Sequence, residues 1–158
     1  MKLNKIIKLL FLIIVCEGVG FLGTIFTIPS IQGWYMTLQK APFNPPPWVF
    51  GPIWTTLYFL MGVSIFLLLQ KKLKKQRTFL LALFSIQLFL NFLWSVIFFG
   101  WHLPLAAMIE LVLLWITIAL LIIDFWKFSK PAAILLIPYL CWVSVASTLN
   151  LFVVLLNH

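Results

Sequence analysis

Five stretches of this chain are each long and apolar enough to cross a bilayer as a helix, and they leave little sequence over for any other structure. A hydrocarbon core of roughly 30 Å takes about 20 apolar residues of α-helix. Leu9 to Ile28, Trp48 to Leu69, Thr78 to Phe99, Leu103 to Ile123 and Ala132 to Leu156 meet that length, and the only charges inside them are Glu17 and Glu110. With 64% hydrophobic and 9% charged residues, the 158-residue chain holds more apolar surface than one soluble core can hide. Strands of a membrane barrel alternate apolar and polar residues, and these runs do not. The pattern therefore predicts an all-α membrane protein. It is a single domain over residues 1–158, a bundle of five transmembrane helices near 6–28, 48–70, 78–99, 103–126 and 131–156. The first run follows Lys2, Lys5 and Lys8 as a signal peptide would, but it is too long for a cleaved one, and Ile14-Val15 before Cys16 does not suit a lipoprotein site.

Charge placement gives the threading. Ten of the eleven basic residues lie before the first helix, between the second and third, or between the fourth and fifth; only Lys40 lies opposite. The positive-inside rule then puts the N-terminus inside and the C-terminus, with His158, outside, an arrangement that fits a bacterial cell membrane best. Anionic lipid headgroups are the natural partners of the basic cluster, so the net charge of +8 needs no nucleic acid to explain it. Cys16 and Cys141 fall within helices, where both are expected to act as small buried apolar groups.

Most connections are short, but nineteen residues, 29–47, separate the first two helices and hold five of the nine prolines with Trp34, Tyr35 and Phe43. Such density favours an ordered lid with a short helix near Ile31 to Gln39 over a disordered linker. Pro52, Pro104 and Pro131 are expected in first turns, and Pro138 inside the fifth helix is expected to bend it. Cys16, Gly20 and Thr24, with Gly23 nearby, suit close helix packing.

Polar and aromatic residues within the helices show which faces turn inward. Gln87, Asn91, Trp94 and Ser95 form one stripe of the third helix. Tyr139, Trp142, Ala146 and Asn150 do so on the fifth, and Trp54 and Tyr58 lie one turn apart on the second. Together they describe a cavity for a flat, largely apolar ligand oriented by a few hydrogen bonds. The competing account is that the amides tie helices together and the indoles pack. Trp34, Trp48, Trp101 and Trp126 fall at water boundaries, where an interfacial belt explains them; Trp115 lies within a span with no assignable role. Glu17 or Glu110 in mid-membrane would serve a proton-coupled transporter of hydrophobic compounds, although a fifth helix and the proline-rich loop fit the small four-helix transporters poorly. His102 and His158 have no partners at metal-ligand spacing, and no nucleophile constellation or glycine-rich phosphate loop is present.

The run W-Y-M-T-L-Q-K-A-P-F-N-P-P-P-W-V-F-G-P-I-W-T-T-L-Y-F-L-M-G, Trp34 to Gly62, resembles the signature of the TspO family (TspO/MBR), the tryptophan-rich sensory and translocator proteins. Q-L-F-L-N-F-L-W-S in the third helix, P-Y-L-C-W-V-S-V-A-S-T-L-N in the fifth and V-G-F-L-G-T-I-F-T in the first are similar too, so the resemblance spans essentially the whole chain. It implies a five-helix homodimeric receptor that requires no cofactor. As ligands it implies porphyrins such as protoporphyrin IX and haem-related tetrapyrroles, and drug-like benzodiazepine and isoquinoline carboxamide compounds. Carried over by motif, its pocket comprises Tyr35, Trp54, Tyr58, Asn91, Trp94 and Trp142. Some members of the family degrade protoporphyrin IX in light and oxygen, which would give Trp54 and Trp142 a catalytic part. Glu110 stands where the family often has an aspartate, and Leu149 to His158 lacks the tyrosine and basic residue of the animal members' sterol motif.

Overall fold

The computed structural model describes residues 3–73 and 75–157, so Lys2, Lys74 and His158 of the charge pattern lie outside the described residues. The helices are α1 (Leu3–Ile31), α2 (Trp34–Thr37), α3 (Pro47–Leu69), α4 (Gln76–Ser95), α5 (Pro104–Phe128), α6 (Lys130–Ile134) and α7 (Ile137–Leu156). A π-helical turn, Val96–Gly100, prolongs α4, and α6 and α7 run in series, so the described residues hold five spans long and apolar enough to cross a membrane. The protein is an integral membrane protein of the multi-pass helical kind.

In the bundle α1 packs between α3 and α4, α4 packs on α5, α5 on α6 and α7, and α6 returns to α3. Lipid is as apolar as leucine, so close backbone approach and hydrogen bonds, not expulsion of apolar surface from water, hold such helices together. Gly62 shows the first device: a Cβ there would lie 2.6 Å from Ile13 Cα, so α3 can meet α1 at this height only without a side chain. Gly20 makes room on α1 in the same way for the Tyr58 ring. The second device is at the end carrying the α3–α4 turn, where buried Ser64 on α3 donates its hydroxyl proton to the Ala132 carbonyl of α6 at 2.6 Å. Leu68, Leu73, Ala133 and Leu136 fill that end. Outward faces are apolar, with Phe11, Ile14, Ile109 and Ile123 all exposed, as a bundle solvated by lipid requires.

The prolines depart from expectation at three places, the first being Pro29, which lies inside α1 and not in the lid loop. Pro47 takes the first helical position of α3, so Pro52 lies inside that helix, not in its first turn. Pro138 does not bend one long helix. It ends one and starts another, with Leu135 and Leu136 in a turn between α6 and α7 and Pro138 in the first turn of α7. A mid-helix proline loses its own N–H bond and crowds the carbonyl four residues back; restarting the helix beside it removes both costs. A second correction concerns Cys141. Cys16 is buried, but Cys141 is exposed, because the inward face of α7 runs through Tyr139, Val143, Ala146 and Asn150, and Cys141 points away from it.

Candidate functional site

Away from the α3–α4 turn the bundle opens. A cavity of about 460 Å³ lies between α1, α3, α4 and α7, in the half of the bundle that carries the 38–46 loop. The antiparallel helices order its depth. Glu17, Tyr58, Asn91 and Trp142 are the lining residues furthest from the loop, and Ile31, Pro47, Phe99 and Val153 line its outer end.

The walls are mostly aromatic. Trp54 leans on Tyr58 with ring centroids 5.7 Å apart, and Phe50 meets Trp142 edge-on at 5.7 Å. Trp94 stacks on Phe98 at 5.3 Å and meets Phe99 edge-on. The π-turn makes this cluster. Its widened ladder, with Trp101 N–H donating to the Val96 carbonyl at 2.8 Å, accommodates one extra residue and brings Phe98 and Phe99 round beside Trp94. His102, at φ 55°, ends the helical run in the left-handed region that histidine tolerates better than branched residues.

Polar groups are few and mostly bonded to each other. Tyr58 donates its phenolic proton to Asn91 Oδ1, and Asn91 Nδ2 donates to the Tyr139 hydroxyl at 2.8 Å, which joins α3, α4 and α7 across the inner end of the cavity. Asn150 Nδ2 donates to the Pro104 carbonyl at 2.8 Å, and its Oδ1 lies 3.4 Å from the Trp94 indole nitrogen. The Trp142 indole N–H is buried and has no partner among the described residues.

The lid covers this site through α2. Trp34 stacks on the His102 ring at 4.3 Å and meets Phe98 edge-on; Tyr35 meets Phe99 edge-on at 5.6 Å. Tyr35 donates its hydroxyl proton to Asn44 Oδ1 at 3.2 Å, and Lys40 Nζ sits 4.9 Å from the Tyr35 ring centroid. Burial holds the Tyr35 phenol above its ordinary range, an effect the bond to Asn44 partly offsets. At the far side the lid is clamped: Gln39 N–H donates to Asn157 Oδ1 at 2.8 Å, and Asn157 Nδ2 donates back to the Gln39 carbonyl at 2.9 Å.

Of the residues picked from sequence, Tyr35, Trp54, Tyr58, Asn91, Trp94, Trp142 and Ala146 all line this cavity. Gln87 and Tyr139 do not. Gln87 is fully buried a turn deeper on α4, and Tyr139 stands behind Asn91 and edge-on to Trp54, joined to the cavity through those two wall residues. Glu17 lines the inner end, whereas Glu110 is buried on α5 off the cavity wall. The α1 wall, with Gly20, Gly23 and Thr24, lines the cavity as well as suiting close helix packing, and the small size of these residues is the sequence signal for both. Trp34 is a packed lid residue in addition to a boundary tryptophan, while Trp48 and Trp101 are exposed at boundaries. Trp115 has a role too, donating its indole N–H to Ser144 Oγ at 2.9 Å and so tying α5 to α7 on the outer face.

Five membrane spans, four of them around an aromatic cavity beneath an aromatic lid, define a multi-pass membrane protein with its pocket inside the bundle. The TspO/MBR family model matches residues 12–156. "Tryptophan-rich protein TspO" of Chlorobaculum tepidum is 46% identical over 155 residues, covering 98% of each chain. "Tryptophan-rich protein TspO" of Archaeoglobus fulgidus is 42% identical over 97% of this chain and 99% of its own. "Translocator protein" of Bos taurus is 38% identical over 83% of this chain and 79% of its own. The chain belongs to the TspO/MBR family.

Proposed function

We propose that the protein is a membrane receptor that binds flat, hydrophobic tetrapyrroles, protoporphyrin IX and haem-related compounds, and drug-like aromatic molecules, in the cavity between α1, α3, α4 and α7, with a part in tetrapyrrole handling or stress response. The observation that carries this is the buried, unpartnered indole N–H of Trp142 on a wall otherwise built of aromatic faces. A buried donor without an acceptor costs about 1–3 kcal/mol, and a carbonyl or ring nitrogen of a flat ligand would relieve it while the ring stacks on the indoles. The volume of about 460 Å³ lies within the range of small-molecule sites, roughly 300–1,000 Å³. The basic end of the bundle then faces the cytoplasm of a bacterial cell, and the broad exposed face of α1 is free for lipid or for the second copy of a homodimer.

Titration with protoporphyrin IX in the dark, followed by quenching of tryptophan fluorescence, tests the assignment. Trp142→Ala weakens binding about tenfold, the scale of losing one buried aromatic anchor. Trp126→Ala, at a ring that is exposed beneath Lys130, leaves it unchanged. Equal losses in the two variants overturn the pocket assignment.

A catalytic role in light is supported by one further feature, that Trp54 and Trp142 line the same cavity and would both face a bound porphyrin. In that reading light excites the bound porphyrin, dioxygen oxidises its ring, and the two indoles stand where they would trap reactive oxygen species or relay an electron from the excited ring's radical anion to dioxygen and back.

A further inference from the structure

We propose that Glu17 makes this pocket selective for flat apolar ligands that carry a protonated amine, by pairing with the ammonium at the inner end of the cavity. The inference rests on reading the cavity as the ligand site and adds the chemical class that the site prefers.

Glu17 is the one acidic or basic residue among those lining the cavity. It makes no ion pair or side-chain hydrogen bond to any described residue; the ion pair that is formed, Lys127 with Asp124, lies on α5 beside the α5–α6 junction. The hydroxyls nearest along α1 are already committed, Thr24 to the Phe21 carbonyl at 2.6 Å and Thr27 to the Gly23 carbonyl at 3.0 Å. A carboxyl group in an apolar wall is costly unless something pairs with it, and within the cavity a cationic group on the ligand would be that partner.

The neighbours of Glu17 favour a cation. Gly20, three residues on and on the same face of α1, receives the Tyr58 ring, and Tyr58 in turn carries Trp54 against it. An ammonium at the carboxylate therefore also meets aromatic faces, the arrangement that recognises cationic nitrogen. The opposite end has the opposite sign. Lys40, beside Tyr35 in the lid, is the lone lysine or arginine among the described residues of that end of the bundle, so an acid-bearing ligand is steered to enter with its acid groups outward.

Flat fluorescent probes of one shape and different charge test this. Pyrenemethylamine, cationic at neutral pH, and pyrenemethanol, its neutral counterpart, are titrated against the detergent-purified protein, following energy transfer from tryptophan to pyrene. The amine binds about tenfold more tightly than the alcohol to the wild type, the scale of one charge-assisted hydrogen bond in a partly apolar site. Glu17→Gln brings the two to equal affinity by weakening the amine; a melting temperature within about 2 °C of the wild type shows that the variant is folded. Equal affinities in the wild type, or a preference that survives Glu17→Gln, overturn the inference while leaving the ligand site standing. Trp142→Ala separates the two levels. If the alcohol binds and this variant loses it, the probes occupy the cavity; if neither probe binds saturably, or both bind unaffected by Trp142→Ala, the ligand-site reading fails and the amine preference falls with it.

Discussion

Asn91 joins three helices at the inner end of the cavity, and its removal has a calculable consequence. The side chain is 3% exposed, accepts the Tyr58 proton and donates to the Tyr139 hydroxyl. In Asn91→Ala the two hydroxyls fare differently. Tyr58 lines the cavity and can turn its group toward open space, whereas Tyr139 is 1% exposed and loses its donor outright. One orphaned buried group costs about 1–3 kcal/mol, and the missing amide adds a small cavity term, so about 3 kcal/mol is the expected loss. For a chain of this length that corresponds to roughly 6–12 °C in melting temperature. Cys16, buried at 1% exposure, reports unfolding through a thiol-reactive coumarin once exposed Cys141 is replaced by serine. In that background Asn91→Ala melts earlier by the stated amount, and adding Tyr139→Phe restores part of it, because removing both partners leaves nothing unpaired. A melt within about 2 °C of the parent, or a double variant less stable than Asn91→Ala, refutes the buried bridge.

Three further outcomes follow from the same geometry. Gly62→Leu drives a side chain into the Ile13 backbone and prevents α1 from seating on α3, so the variant purifies aggregated or melts far below the wild type, whereas Gly51→Ala, which meets open space, does neither; equal behaviour of the pair refutes the close approach. The Tyr35 phenol is held above its ordinary value of 10.0 by burial, so its contribution to lid docking is complete below that pH and is lost as pH rises through the higher folded value; the tyrosinate absorbance difference between wild type and Tyr35→Phe should titrate above 10.0, and a midpoint at or below it contradicts the docked lid. Under illumination in air, Trp54→Phe that still binds protoporphyrin IX forms degradation product more slowly than the wild type; an unchanged rate removes Trp54 from any catalytic part.

Hydropathy made the spans readable because the bilayer imposes a length on every helix, and no packing detail can override it. The inward faces were readable as well, since Asn91, Trp94, Trp142 and Ala146 repeat at helical spacing. Such a stripe reports direction around the helix and says nothing of depth along it. Gln87 and Asn91 point the same way, yet the cavity ends between them, because its floor is set by where Tyr58 meets Gly20 across two other helices. Depth is a tertiary quantity. The break at Leu135–Leu136 was hidden for a related reason: Pro138 announces a disturbance, but whether a helix bends or restarts depends on what it packs against, here α3 and α5 on α6. Nor does the π-turn leave a composition signal, since Val96 to Gly100 would serve an ordinary α-helical end equally well.

The pairing of Asn157 with Gln39 gives α7 two ends with unlike duties. Trp142 on α7 and Asn157, which caps the end of that helix, are fifteen positions apart, about 22 Å at the helical rise, and the stretch between them also supplies Ala146 and Asn150 to the wall. A helix of this kind is a beam. A ligand in contact with Trp142 rests on the same helix that holds the lid at Gln39, next to Lys40. The inner wall of the cavity and the fastening of the lid thus share one support, and a substitution that shifts α7 disturbs both.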